Sequence, residues 1–399
     1  MRHLIFTVLL FLLSVSAKAG VWQDKCVDCH GLIAPSKKQL LDKFKTPGEL
    51  AVKAKELADK KIMPQFDFEL AAKELFNTVP EKNSSAVFFK KTAKSDLKRS
   101  DFSLLPSSSS ISVDNPQIST KIALGKMLYF ETRLSKNNTI SCNTCHNMAS
   151  GGDDNHQVAI GYGWRKDIRN TPTIFNVGYL NTFGWTGKAK TLEEMVKINI
   201  QDSVKMNGSE DQIVSQLKSI PEYVVIFRKS FPEDGDPINL ENIAEAISSY
   251  LKTLNTFGSK FDKFLSGNME VLSDEAKMGM NLFTEKGCIR CHYGAMFTDG
   301  KFHKFSLDND PGRFEVTRNK RDKGFFRTAP LRNIALTAPY FHNGSVSRLD
   351  LAVKVMANRM LNEKLTDVEA WRIKVFLETL TAFPSVDARV VPVLPQKDD

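Results

Sequence analysis

The cysteines of this chain carry the first chemical signal. There are six, and they fall into three pairs of one spacing, Cys26/Cys29, Cys142/Cys145 and Cys288/Cys291. A histidine follows each pair directly: His30, His146 and His292. C-x-x-C-H is the attachment signature of c-type haem. Two thiols at that spacing reach both vinyl groups of one porphyrin, and the next residue lies under the iron as its proximal imidazole. A zinc ribbon would need two C-x-x-C pairs to close one site. A disulfide framework would not explain the histidines. We therefore expect three covalent haems c, with Cys26, Cys29, Cys142, Cys145, Cys288 and Cys291 as attachment points.

The elements around these motifs can be read outward. Residues 1–19 carry Arg2, the apolar run Leu4 to Leu13 and an Ala17-Lys18-Ala19 cleavage pattern, which is a secretory signal peptide. That predicts a periplasmic protein, with an uncleaved membrane anchor as the lesser alternative. Residues 20–82 read as a monohaem cytochrome c domain. In it Met63, in a Met-Pro loop between two helices, is the candidate sixth ligand opposite His30. Residues 83–112, rich in lysine and serine, read as a linker. Two haem-bearing, cytochrome-c-like units are expected at 113–258 and 259–385, with a tail at 386–399. A weak duplication supports the pair, because Gly125-Lys-Met-Leu128 precedes the second haem motif and Gly279-Met-Asn-Leu282 the third. Helical periodicity runs over 191–206 and 240–254, and a capping box, Thr366-x-x-Glu369, opens the last helix. The fold class is mainly α, three tandem cytochrome-c-like haem domains with long loops.

The net charge is +9, and +7 once Arg2 and Lys18 leave with the signal. Export argues against nucleic acid as the reason for that charge. An acidic redox partner or an anionic membrane face suits it better, as does simple solubility.

From about Leu105 to Phe383 the sequence resembles the bacterial dihaem cytochrome c peroxidases. The stretches that carry the resemblance are Ile122-Ala-Leu-Gly-Lys-Met-Leu128, Thr139-Ile-Ser-Cys-Asn-Thr-Cys-His146, Gly151-Gly152, Arg169-Asn-Thr-Pro-Thr-Ile-Phe-Asn176 and the long run from Phe326 to His342. The additional N-terminal haem motif is similar to the trihaem branch, which includes quinol peroxidases. The resemblance implies a peroxidatic haem on His146 and an electron-transferring haem on His292. It places Met356 as sixth ligand of the latter, with Met296 and Met360 as fallbacks, and Trp185 between the two haems. It implies a calcium ion held by the Asn170 side chain and the backbone oxygens of Thr337 and Pro339. It also implies hydrogen peroxide as substrate, a small cytochrome or a quinol as donor, and a homodimer.

The departures from the family fall in the distal pocket. Where the family has I-G-H-G-W, this chain has Ile160-Gly-Tyr162-Gly-Trp164. The usual glutamine aligns with Met195 and the acid–base glutamate with Lys205. Peroxide cleavage needs a proton carrier beside the iron, a task suited to a carboxylate. Three readings follow. In the first, the chain is a peroxidase in which Tyr162 or Lys205 handles protons. In the second, Tyr162 ligates iron as phenolate and the enzyme oxidises a partner protein through high-valent iron. In the third, Met195 or Lys205 caps the iron of a three-haem electron carrier. The first is the primary expectation. His303 and His342 are expected to be structural hydrogen-bonding groups and His156 a surface residue. Asp153-Asp154 and the Arg318 to Lys323 run are expected to be solvated charge.

Overall fold

In the computed structural model, which describes residues 101–107, 117–305 and 307–397, helices carry the fold. The signal peptide, the motif of Cys26, Cys29 and His30, the candidate ligand Met63 and most of the expected linker lie outside the described residues. Among the described residues no helix is long and apolar enough to cross a membrane.

The first half contains α1 (Gln117–Phe130), α2 (Leu192–Gln201), α3 (Glu210–Lys218), α4 (Pro221–Ser230) and α5 (Leu240–Leu251). Leu124 and Leu128 of α1, Ile213 and Leu217 of α3, Phe227 of α4 and Ile243 and Ile247 of α5 are shut away from solvent in one core. α2 opens on a reciprocal cap: Glu194 N–H donates to Thr191 Oγ1 at 3.1 Å, and the Glu194 carboxylate accepts from Thr191 N–H at 3.3 Å. The sequence predicts this helix to residue 206, but it stops at Gln201. Asp202 stops it by accepting the Val204 N–H on its own side chain at 2.9 Å, which draws the backbone into a turn.

The second half contains α6 (Lys260–Leu265), α7 (Asp274–Glu285), the two-stranded antiparallel ribbon β1 (Phe302–Lys304) and β2 (Phe325–Arg327), α8 (Leu349–Leu361) and α9 (Asp367–Glu378). Its core is aromatic, with Phe261, Phe297 and Phe376 fully buried. The capping box at Thr366 and Glu369 forms as the sequence predicts. Two segments read as linker and tail are tied into the body. Phe102 is buried in the second core, stacked on Phe297 at 4.9 Å between ring centres. The Tyr250 hydroxyl donates to Ala388 O at 2.7 Å, and the Arg133 guanidinium donates to Pro395 O at 2.7 Å.

The duplicated glycines have a common physical role. Each sits on the helix that leads into a haem motif, where a second helix crosses. A Cβ built on Gly125 would lie 1.8 Å from Ala246 O of α5, and one on Gly279 would lie 1.9 Å from Arg372 O of α9. No side chain fits either crossing. Gly125→Ala should therefore lower the melting temperature of the haem-loaded protein, by an amount equivalent to about 3 kcal/mol of overpacking. Gly235→Ala is the control, since nothing lies within 4 Å of its Cβ position, and it should leave the melt unchanged. Thermal unfolding followed at the haem absorbance compares the two.

Candidate functional site

Two cavities hold the two described haem motifs. In the first, Cys142–Cys145 forms a single helical turn closed by His146 N–H donating to Cys142 O at 2.9 Å. The His146 ring lies with Nδ1 3.2 Å from Gly152 O. A carbonyl can only accept, so Nδ1 carries the proton and Nε2 is left with a lone pair for a metal. Burial also pushes His146 below the usual histidine range, so the imidazole is neutral, the form that ligates iron. Burial pushes the Cys142 thiol up to about 12 and the Cys145 thiol up to about 11.

The second motif repeats this arrangement. Cys288–Arg290 forms a tight turn after Gly287, whose φ of 84° needs a residue without a Cβ. His292 Nδ1 lies 3.0 Å from Phe297 O, so its Nε2 is likewise free to ligate, and burial lowers its pKa. The two imidazoles, the four cysteines and the cavity walls fit the haems that the motifs call for.

The first cavity has a volume of about 560 Å³, within the usual range for a cofactor or drug-sized site. Apolar side chains including Ile140, Val177, Leu192 and Ile247 line it, and its polar lining includes a group made of Asp167, Asn199, Asp202 and Lys205. Met195 and Asn199 reach it from one face of α2, four residues apart. Lys205 comes from the turn that follows. Its ammonium donates to Asn199 Oδ1 at 2.8 Å and stands 3.8 Å from Asp167 Oδ2. Asp202 is held below the usual carboxylate range: burial would raise it, but the Val204 N–H and the charges of Lys205 and Lys188 outweigh that.

The structure thus brings Met195, Lys205 and Trp185 to the first cavity. Tyr162 is placed beside them rather than in the wall. Its N–H donates to Lys205 O at 2.6 Å, and its ring packs on the core and under the Arg165 guanidinium. Asp167 is a wall residue that the sequence does not single out. It arrives because the loop folds back at the Ile160–Lys166 bridge.

The second cavity is a narrower apolar slot, lined by His292, Met356 and Met360 among others. Met296 is not among its lining residues. Trp185 lies in the walls of both cavities. Its indole N–H donates to Asn170 O at 2.9 Å, its carbonyl accepts from Arg327 N–H at 2.8 Å, and its ring stands edge-on to His342. Below this junction the Arg169 guanidinium binds Asp310 at 2.7 and 2.8 Å and Glu315 at 2.6 and 3.0 Å, tying the loop before β2 to the first half.

Of the expected calcium ligands, Asn170 is buried, and its amide nitrogen donates to His156 O at 2.9 Å. The turn carrying Thr337 and Pro339 is held to the first half by the Asn155 side chain, which donates to Leu336 O at 2.9 Å and Ala338 O at 3.0 Å.

The remaining histidines are hydrogen-bonded: His303 Nε2 to Asp299 at 2.8 Å and His342 Nε2 to Asp308 at 3.2 Å. Cys291, Asp299 and His303 lie close enough to suggest a metal trio. A thioether to haem removes Cys291 as a thiolate, so the trio is not a separate metal site. The acidic doublet corrects a sequence expectation. Asp153 is fully buried rather than solvated, and Asp154 accepts from Thr171 Oγ1 at 3.0 Å. Burial and the neighbouring Asp154 charge push the Asp153 carboxyl up to about 8.

Comparison with known proteins agrees with this geometry. The family model for di-haem cytochrome c peroxidase matches residues 119–270. Cytochrome c551 peroxidase of Pseudomonas aeruginosa is 42% identical over 280 residues, covering 67% of this chain and 81% of that protein. The methylamine utilization protein MauG of Methylorubrum extorquens is 33% identical over 296 residues, covering 70% of this chain and 83% of the relative. Among solved structures, a MauG-like protein associated with microbial copper homeostasis superposes with a TM-score of 0.65 at 28% identity, covering 72% of this chain and 98% of that one.

Proposed function

The chain belongs to the di-haem cytochrome c peroxidase family, and from that premise we propose that it is a periplasmic trihaem member that reduces hydrogen peroxide to water. The observation that carries this reading is the pair of haem cavities with one shared wall at Trp185, one of them lined by acid, amide and ammonium groups. Haem in both cavities supplies electron storage and delivery. The chain's own residues do the rest. Gly152 O and Phe297 O fix the proximal imidazoles in the ligating tautomer. Apolar walls limit water around the reacting groups. Asp167, beside Lys205 and Asn199, takes and returns the proton that peroxide cleavage moves from one oxygen to the other.

The N-terminal unit, with His30 and Met63 as iron ligands, is the proposed entry point. His292 and His146 would hold the two further haems on either side of Trp185, which would supply the onward electron relay. A small cytochrome or a quinol is the donor. A calcium ion at Asn170, Thr337 and Pro339 would hold the two halves in register, and a homodimer is the proposed assembly.

The MauG relative favours a second reading, in which the chain oxidises a partner protein.

Optical and EPR spectra of the oxidised protein, followed by peroxide and a reduced cytochrome or dye, test the proposal. One high-spin haem among three and rapid dye oxidation are expected. Three low-spin haems with no turnover would leave an electron carrier.

A further inference from the structure

Three arginines, Arg327 and Arg332 buried and Arg169 half-buried, can be compared, and two of them have carboxylates. Arg169 binds Asp310 and Glu315, and Arg332 binds Asp262 at 2.8 and 3.1 Å. Arg327 has none among the described residues. It is 8% exposed, and its guanidinium makes two long contacts only, to Gly184 O at 3.4 Å and Thr328 O at 3.5 Å. Burial alone draws its pKa down to about 10. A guanidinium offers five N–H donors and stays charged at any working pH. A charge left in that state is costly unless something anionic arrives to meet it.

Its location says what arrives. Arg327 lines both haem cavities, and of the residues lining the second it is the one lysine or arginine. A haem c brings two propionates, each a planar carboxylate of the kind that an arginine fork binds bidentately. The backbone fixes the side chain there. Arg327 N–H donates to Trp185 O at 2.8 Å, and β2 pairs with β1 so that Arg327 stands opposite Phe302.

We propose that Arg327 is the propionate counter-ion of the haem on His292 and, from the shared wall, a charge that both haems of this body sense. It is a positioning and tuning residue rather than a catalytic one. A cation beside the propionates offsets their charge and favours the reduced haem, which carries one positive charge less. Its removal shifts the equilibrium towards the oxidised form. The inference rests on haem occupying both cavities and does not depend on peroxide being turned over.

The test is a spectroelectrochemical titration of the full-length holoprotein, with haem content checked by pyridine haemochrome. Arg327→Gln should lower the reduction equilibrium constant of the His292 haem about tenfold, which is about 59 mV for a one-electron couple. The His146 haem should move in the same direction by less, and Arg327→Lys should return both to within about threefold of the parent. Values for Arg327→Gln within twofold of the parent at both haems overturn the proposal. So do equal shifts in the Gln and Lys variants, which mark repacking rather than charge. If the Gln variant does not accumulate with full haem, resonance Raman spectra of Arg327→Lys decide the matter. The propionate-bending band moves if the guanidinium holds the carboxylates, and an unmoved band overturns the idea. Peroxide turnover of the parent is scored separately, so a protein without peroxidase activity but with the Arg327 shift refutes the proposed function and leaves this inference standing.

Discussion

Asp167→Asn is expected to lower kcat/KM for hydrogen peroxide by about 10²- to 10⁴-fold, the range in which a positioned acid–base group contributes. Haem content and the optical spectrum should not change. Splitting peroxide requires a group that takes a proton from one oxygen and gives it to the other. An ammonium has no lone pair with which to take it, and the Asn199 amide is no better. Asp202 is held below the usual carboxylate range with its Oδ2 3.5 Å from Lys188, and both oxygens of Glu315, the other carboxylate of the wall, are bound by Arg169. Asp167 remains. Its Oδ1 accepts from Ile168 N–H at 2.6 Å, while its Oδ2 is turned to Lys205 at 3.8 Å. Such a carboxylate has one oxygen anchored and one facing the cavity's ammonium group. Lys205→Met should therefore cost less than Asp167→Asn. The double variant should be no worse than Asp167→Asn alone, because groups that act as a unit are not additive. Stopped-flow mixing of peroxide with the reduced protein measures this directly. A rate for Asp167→Asn within threefold of the parent would remove Asp167 from the mechanism and return the proton to Lys205 or Tyr162.

The same residues show what was legible in the sequence. The haem motifs were plain, because two cysteines and a histidine at fixed spacing have few other uses. Helix starts were legible at Thr366, where reciprocal capping is written in four residues. Helix ends are not: α2 stops at Gln201 because the Asp202 side chain makes a hydrogen bond that competes locally with the helix and leaves no mark in hydrophobic period. Met195, Lys205 and Trp185 were reached through family resemblance, and all three line the first cavity. Asp167 was missed because a single acid in a loop has no periodicity, and only the fold-back at Ile160–Lys166 gives it a site. Arg327 was in view as part of the Phe326 to His342 run. Its burial, which is the informative fact, depends on its strand pairing and on Trp185. The Asp153-Asp154 doublet misled because acidic residues are mostly exposed, so a buried one is the exception that only packing reveals.

Met356→Leu is expected to lower the potential of the haem on His292 by about 100 mV or more, a modest part of the roughly 0.8 V over which axial ligands tune haem. At about 59 mV per tenfold, that is a loss of about 50-fold or more in the equilibrium favouring the reduced haem. Loss of a thioether ligand acts in this direction because soft sulfur stabilises ferrous iron. Two methionines line that cavity. Met356 and Met360 lie one turn apart on α8, on the face that also turns Val353 and Ala357 to the cavity, so both thioethers are within the lining. Met296 is outside it. Met360→Leu should then leave the potential near the parent value and cost only packing, below about 1.5 kcal/mol for a volume-conserving exchange. The same pair of variants reads the relay. If Met356 holds the iron, its loss leaves the His292 haem too low in potential to hold the donor's electron, and steady-state turnover falls. The reaction of peroxide with a fully prereduced protein should keep its first-turnover rate, because the proposed function puts the chemistry at the other cavity. The opposite pattern, with Met360→Leu carrying the drop, would move the ligand one turn along α8 and leave the relay otherwise unaltered.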